Sequence, residues 1–188
     1  MRIFGIDPGS DRTGYGCVDS DGSRHRLVVC GAIATRSCAT FPDKLLVIHR
    51  ELAALIANHR PAVVAVENLF HAANVRSALK LGHVRGVAVL AAVEQGVPVV
   101  EYTPAEVKRA IVGYGRAEKQ QVQEMVRLLL GLRAVPEPND AADALAVAIC
   151  HVHSLPAASR LRRLAPTGRG TPRALTSWRN FRPPGDLR

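Results

Sequence analysis

The chain has no apolar run approaching the ~20 residues of a membrane-spanning helix, so no span is expected. Its amino terminus, Met1-Arg2-Ile3-Phe4-Gly5-Ile6-Asp7, meets an acid before the apolar stretch of a signal peptide has room to form. A soluble, cytoplasmic protein with no membrane partner is the expectation. The four cysteines, Cys17, Cys30, Cys38 and Cys150, include no C-x-x-C spacing. That argues against a zinc site or a disulfide frame and for reduced, partly buried thiols. No internal repeat is present. What remains is 188 residues, 47% hydrophobic and 22% charged. That composition supports one core of ordinary size and excludes a chain disordered throughout.

The net charge of +9 is uneven. Residues 154–188 carry eight arginines against Asp186, a net of +7, which leaves +2 for residues 1–153. The last stretch is also rich in Pro, Gly and Ser without a clear period, so it reads as a basic tail after a nearly balanced domain. A polycationic tail suits a polyanionic partner such as nucleic acid. A solvated extension that only aids solubility is the plainer alternative.

The hydrophobic pattern predicts strands at 2–7, 13–19 and 24–34, joined by Pro8-Gly9-Ser10-Asp11 and Ser20-Asp21-Gly22-Ser23 turns. Short turns make these an antiparallel meander. Gly14 and Gly16 in the second strand allow close backbone approach. The period then changes to helical over 43–59, with Pro61 as its stop. Strands at 62–67 and 97–102 alternate with helices at 74–95, 104–112 and 117–130. Asn139 is a good N-cap for a final helix over 140–153. The order defines an α/β domain around a five-stranded mixed sheet flanked by helices.

Four acids stand where apolar sequence meets a loop or a helix start, and none has Lys or Arg as an immediate neighbour. Asp7 ends the first strand, Glu67 ends Ala62-Val63-Val64-Ala65-Val66, and Asp140 and Asp143 open the last helix. In open α/β sheets, sites gather beyond the carboxyl ends of strands where strand order switches. Parallel neighbouring strands 1 and 4 bring Asp7 beside Glu67, and a spacing of three puts Asp140 and Asp143 on one helix face. Two carboxylates about 4 Å apart repel by about 4 kcal/mol at an effective dielectric near 20. A fold that gathers four therefore calls for a divalent cation, and hard oxygen ligands suit Mg²⁺ or Mn²⁺. The chemistry such a site supports is metal-assisted attack on a phosphodiester. Asp140 alone is also explained as an acid favoured by a helix dipole, and Glu67 alone as a solvated strand end.

Five motifs in order resemble one known family. They are Ile6-Asp7-Pro8-Gly9 with Thr13-Gly14-Tyr15-Gly16, Val66-Glu67-Asn68-Leu69-Phe70, Ser77-Ala78-Leu79-Lys80-Leu81-Gly82, Glu118-Lys119-Gln120-Gln121-Val122, and Asp140-Ala141-Ala142-Asp143-Ala144-Leu145-Ala146. The likeness is to the bacterial crossover junction endodeoxyribonucleases of the RuvC family, over roughly residues 1–153. It implies a ribonuclease H-like fold and a homodimer that resolves four-way (Holliday) DNA junctions by paired symmetric nicks, in recombination and repair. It implies Asp7, Glu67, Asp140 and Asp143 as catalytic metal ligands, RuvA and RuvB as branch-migration partners, and a T-rich cleavage preference. A two-metal mechanism fits this acid set, with two Mg²⁺ (or Mn²⁺) ions roughly 3.5–4 Å apart and Asp7 between them. Its products carry 5′-phosphate and 3′-hydroxyl ends. The tail lies outside the resemblance.

Candidate DNA contacts follow. Lys108 and Lys119 flank Gly113-Tyr114-Gly115-Arg116 and match basic positions the family uses near the scissile phosphate, although exposed lysines on helices are ordinary. Arg76, Lys80 and Arg85 fall on the 74–95 helix, with phosphates as their partners. Phe70 is either a core plug or a platform for an unpaired base. Tyr114 and Arg116 sit on the glycine-flanked loop, where Tyr114 is either a contact or a mobile tip. On the same 74–95 helix, Ala78, Gly82, Gly86 and Leu90 recur every four residues and suit close packing, on the sheet or on a second copy. His151 and His153 suit a helix C-terminus, with a metal pair as the alternative.

Three other readings compete. Asp7-Pro8-Gly9 with Gly14 also resembles the phosphate loop of actin-like ATPases and sugar kinases, but those need two such domains. A catalytically idle DNA-structure binder would gain nothing from four acids. A general ribonuclease H differs only in substrate.

Overall fold

The computed structural model describes residues 1–68 and 74–155. The strands are β1 (Arg2–Asp7), β2 (Arg12–Ser20), β3 (His25–Ala34), β4 (Val63–Glu67) and β5 (Val99–Tyr102). The helices are α1 (Phe41–His59), α2 (Val75–Glu94), α3 (Pro104–Val112), α4 (Lys119–Leu129) and α5 (Asn139–Ser154). Every expected element forms, with ends shifted by a residue or two. The sheet order is β3-β2-β1-β4-β5. β1 pairs antiparallel with β2 and parallel with β4, so strand direction switches beside β1. This is the mixed five-stranded sheet anticipated from the pattern.

Each sheet face has its own core. Phe4, Ile6, Val64 and Val66 pack under α1 and α2 through Ile48, Leu52, Ile56, Val84 and Ala88. Ile3, Val18, Val63 and Ala65 pack under α5, α3 and α4 through Leu145, Ile149, Val107 and Val126. α1 starts cleanly because Thr40 and Asp43 form a capping box, and it ends with Arg60 in the left-handed region at φ 46°. α5 is the central helix, buried along most of Ala141–Val152. It lies against the sheet because two strand positions lack a side chain. A Cβ on Gly5 would fall 2.0 Å from the Ala144 carbonyl oxygen, and one on Gly14 would fall 2.0 Å from that of Asp140.

One expectation changes and two open alternatives fall away: the α2 stripe does not pack on the sheet, and the two histidines, in the last turn of α5 as expected, form no metal pair. Pro138, not Asn139, occupies the N-cap of α5, and no side chain caps that end. α2 buries Val84, Ala88, Ala91 and Ala92, so its Ala78-Gly82-Gly86-Leu90 stripe faces away from the sheet and is exposed. His151 and His153 do not pair with each other. The Tyr102 hydroxyl lies 2.8 Å from His151 Nδ1, while His153 Nδ1 donates to the Ala110 carbonyl at 2.8 Å and its Nε2 meets His25 at 3.2 Å. All four cysteines are free, and burial pushes the Cys17 thiol up to about 12 and the Cys150 thiol up to about 11. Both are inert as nucleophiles at neutral pH. Among the described residues, no helix is long and apolar enough to cross a membrane.

Candidate active site

The β1–β4 ladder carries Asp7 and Glu67 one step past the Ile6–Val66 pairing, at the carboxyl ends of adjacent parallel strands. On its other side, Asp7 pairs with Gly14. Because Gly14 has no Cβ, the Asp140 carbonyl of α5 rests directly above it. Close packing of helix on sheet thus brings the start of α5 to the end of β1. The Asn68 N–H donates to the Tyr102 carbonyl at 2.8 Å, which fixes the chain just beyond Glu67.

Asp7, Glu67 and Asp143 line one cleft of about 260 Å³, together with Lys108 and Lys119 and the apolar wall of Val107, Val122 and Ala146. The Asp7 and Glu67 carboxyls meet in this cleft, close enough for each to act on the other's ionisation. Burial, the Glu67 charge and the Asp143 charge together hold the Asp7 carboxyl well above the usual carboxylate range. Burial also raises Glu67. Lys119 Nζ pairs with Asp143 at 2.5 Å, and Gln123 Nε2 donates to the other Asp143 oxygen at 3.4 Å. Burial works to lower Lys119, but its bond to Asp143 and the fields of Asp143, Asp7 and Asp140 prevail and raise it. Lys119 also acts on Glu67, so its ammonium is felt by all four acids.

Asp140 stands apart from the other three. It lines the neighbouring cavity and lies 4.0 Å from the Arg12 guanidinium. Among the described residues, no three His, Cys, Asp or Glu side chains are drawn to the spacing of a closed metal site. Lys119 holds Asp143 in a contact that competes with an ion. The donor set still fits a hard divalent cation. It is all oxygen, it is crowded enough to retain a proton, and it already engages a positive charge.

The expected DNA contacts separate. Lys108 and Lys119 stand in the cleft, and Arg116 is exposed on the α3–α4 loop. Tyr114 is half exposed, but its hydroxyl donates to Gln121 Oε1 at 2.9 Å, so its side chain is tied to α4 and is not a free tip. Arg76 and Lys80 are exposed on α2, with Lys80 Nζ 5.7 Å from the Phe41 ring centre. Arg85 is bound to Glu101 instead and is not free for phosphate. Phe70 lies outside the described residues. Gln123, Arg12 and Arg36 went unrecognised in the sequence. Gln123 had one signal, a polar residue on the buried side of an otherwise apolar α4 face.

Sheet order, helix layers and an acid-lined cleft at the β1–β4 switch define a ribonuclease H-like α/β domain. A family model described as crossover junction endodeoxyribonuclease RuvC matches residues 3–151. A crossover junction endodeoxyribonuclease RuvC from Trichlorobacter lovleyi is 50% identical over 183 residues, covering 97% of this chain and all of that one. Another, from Citrifermentans bemidjiense, is 56% identical over 154 residues, covering 82% of this chain and 93% of its own. A solved Thermus thermophilus RuvC superposes with TM-score 0.75 at 37% identity over 81% of this chain and 94% of that one. The T. thermophilus RuvC in complex with Holliday junction substrate gives 0.74 at 35% identity, covering 81% and 93%. The chain belongs to the RuvC family of crossover junction endodeoxyribonucleases.

Proposed function

We propose that this chain resolves four-way (Holliday) DNA junctions as a divalent-cation-dependent endodeoxyribonuclease, cutting two symmetric strands as a homodimer. The observation that carries the reading is the cleft where Asp7, Glu67 and Asp143 crowd beside Lys119. Family membership and the junction complex of the T. thermophilus relative support the substrate. Asp7, Glu67 and Asp143 would hold two Mg²⁺ ions per site, or Mn²⁺ in their place, with Asp140 joining them by turning from Arg12. A cation held there lowers the pKa of a water and offsets the charge that develops at phosphorus. The protein's own part is to aim oxygens. Asp7, at the carboxyl end of β1 beside Glu67, would supply one of the oxygen ligands. Lys119 exchanges its Asp143 contact for a phosphate oxygen, and Lys108 steadies a second from the cleft wall. RuvA and RuvB are the branch-migration partners that family membership suggests.

The test is cleavage of a synthetic four-way junction with and without Mg²⁺, beside a linear duplex of the same arms. Paired nicks in the junction only, with 5′-phosphate ends and only with the ion, are expected. Equal cutting of duplex would remove the junction reading.

The exposed face of α2 supports the homodimer. Leu79, Leu90 and Val93 are 62%, 49% and 59% exposed, and nothing lies within 4 Å of a Cβ added to Gly82 or Gly86. Two-fold symmetry supplies one site per cut strand. Leu79→Glu combined with Leu90→Glu is expected to halve the mass measured by light scattering and to replace paired cuts by single nicks. A dimer that survives both changes would place the interface elsewhere.

The tail, nearly all of it outside the described residues, is proposed to bind DNA phosphates through its arginines. Deleting residues 155–188 should flatten the dependence of log K on log salt by about 0.9 for each phosphate released. An unchanged slope would mean the tail makes no phosphate contact.

A further inference from the structure

Lys119 lines two cavities, and the acid cleft uses only one of them. The other is about 1050 Å³ and runs between the β1–β2 connection, Arg36 and the approach to α5 at Glu137–Asp140. Its inner wall is held in place. Thr13 Oγ1 donates to the Gly9 carbonyl at 2.8 Å, Thr35 Oγ1 to the Ser10 carbonyl at 2.7 Å, and the Thr35 N–H to the Asp11 carbonyl at 3.1 Å. Both threonines are fully buried. Asp11, the acid on this loop, is bound by Lys44 at 2.6 Å.

Two guanidinium groups face this space from that fixed wall. Arg12 has only a distant partner, Asp140 at 4.0 Å. Arg36 is exposed and makes no hydrogen bond or ion pair among the described residues. Glu137, Asp140 and Asp11 are the wall's opposing charges, and Asp11 lies within the field of Arg36 as well as bound to Lys44. Among the described residues no aromatic lines the cavity, so none of them offers a platform for stacking a base. Guanidinium forks on a polar wall match phosphate oxygens two at a time. Asp143 in the cleft and Asp140 in the cavity are one turn apart on α5, so a backbone leaving the cleft along that turn enters the cavity.

We propose that this cavity is the track for the DNA backbone immediately beside the cut, with Arg12 and Arg36 binding the phosphates that flank the scissile one. The assignment rests on the junction-nuclease reading. It adds a binding subsite that positions the reacting phosphate without touching it.

The experiment compares Arg36→Ala, Arg12→Ala and the double variant, each in the full-length protein carrying Asp7→Asn, which binds without cutting. Junctions with a neutral methylphosphonate at each phosphate near the cleavage point are the probes. Arg36→Ala should weaken binding by about tenfold and reduce the salt slope by about one contact. A methylphosphonate one or two positions from the cut should weaken the parent similarly and have no further effect on the double variant. Arg36→Lys should restore the slope. Should Arg12→Ala melt early, Arg36→Ala carries the test alone, because Arg36 has no structural bond to lose. Parent affinity, slope and methylphosphonate sensitivity in the variants would overturn the track while leaving junction cleavage by the unmodified enzyme intact. Failure of the unmodified enzyme to cut any junction would instead remove the reading beneath it.

Discussion

Asp7→Asn should abolish junction cleavage, retain junction binding and raise the melting temperature. A metal-bound oxygen network supplies several kcal/mol of charge stabilisation in phosphoryl chemistry. Losing one of its ligands removes about 10³-fold in rate or more. Binding survives because the basic side chains that contact DNA are untouched. The stability gain comes from the same crowding that makes the site useful. Asp7 is held among Glu67 and Asp143, and an uncharged asparagine in its place removes that repulsion. Relief of even ~1 kcal/mol moves the midpoint of a domain this size by about 2–4 °C. Single-turnover cleavage, junction affinity and thermal melting check the three parts. An Asn variant that still cuts would eliminate the metal role of Asp7.

The pH dependence of that gain has a definite sign. Burial first, then Glu67 and Asp143, raise Asp7 in the fold, so the folded state favours its protonated form. Unfolded, an aspartate titrates near ~3.9. The wild-type chain without added cation therefore loses stability as pH rises through the folded value of Asp7, and the Asn variant keeps only the part of that loss that comes from Glu67. The gap between the two melting temperatures should be widest at alkaline pH and close as pH falls toward that of an unfolded carboxylate. Mg²⁺ should narrow it at high pH, because an ion that binds only the folded wild type stabilises it by mass action, about 2.7 kcal/mol at a hundred times Kd. A gap that widens on acidification would place the proton elsewhere.

Much of this site was legible because strand ends and helix starts are local properties. Asp7 and Glu67 close apolar runs, and a parallel pairing of those runs makes them neighbours without further information. Gly14 and Gly16 signalled close backbone approach, and α5 is what approaches. Charge compensation was not legible. That Lys119 reaches Asp143, that Asp140 turns toward Arg12, and that Arg85 is taken by Glu101 depend on which side chains the tertiary fold sets face to face. The α2 stripe was ambiguous for a similar reason. Small residues every four positions suit any close neighbour, and only the opposite face, with Val84 and Ala88, meets the sheet. Arg12 and Arg36 had no motif at all. They meet only in a cavity made by three distant segments.

Gly14→Ala should be among the most damaging single methyls in the domain, with Gly5→Ala beside it. A Cβ on Gly14 would fall 2.0 Å from the Asp140 carbonyl oxygen and 2.6 Å from the carbonyl carbon, both backbone atoms that no rotamer change can clear. Relief requires the first turn of α5 to lift from β2. Overpacking of this kind costs about 1–3 kcal/mol, and displacing a reacting constellation by about 1 Å can cost 10²-fold in rate. The expected variant is folded, melts several degrees lower, needs more Mg²⁺ for half-maximal cleavage and cuts about a hundredfold more slowly. Full activity and unchanged Mg²⁺ demand in Gly14→Ala would show that α5 does not set the acids' positions, and the close seating of helix on strand would then have no part in building the site.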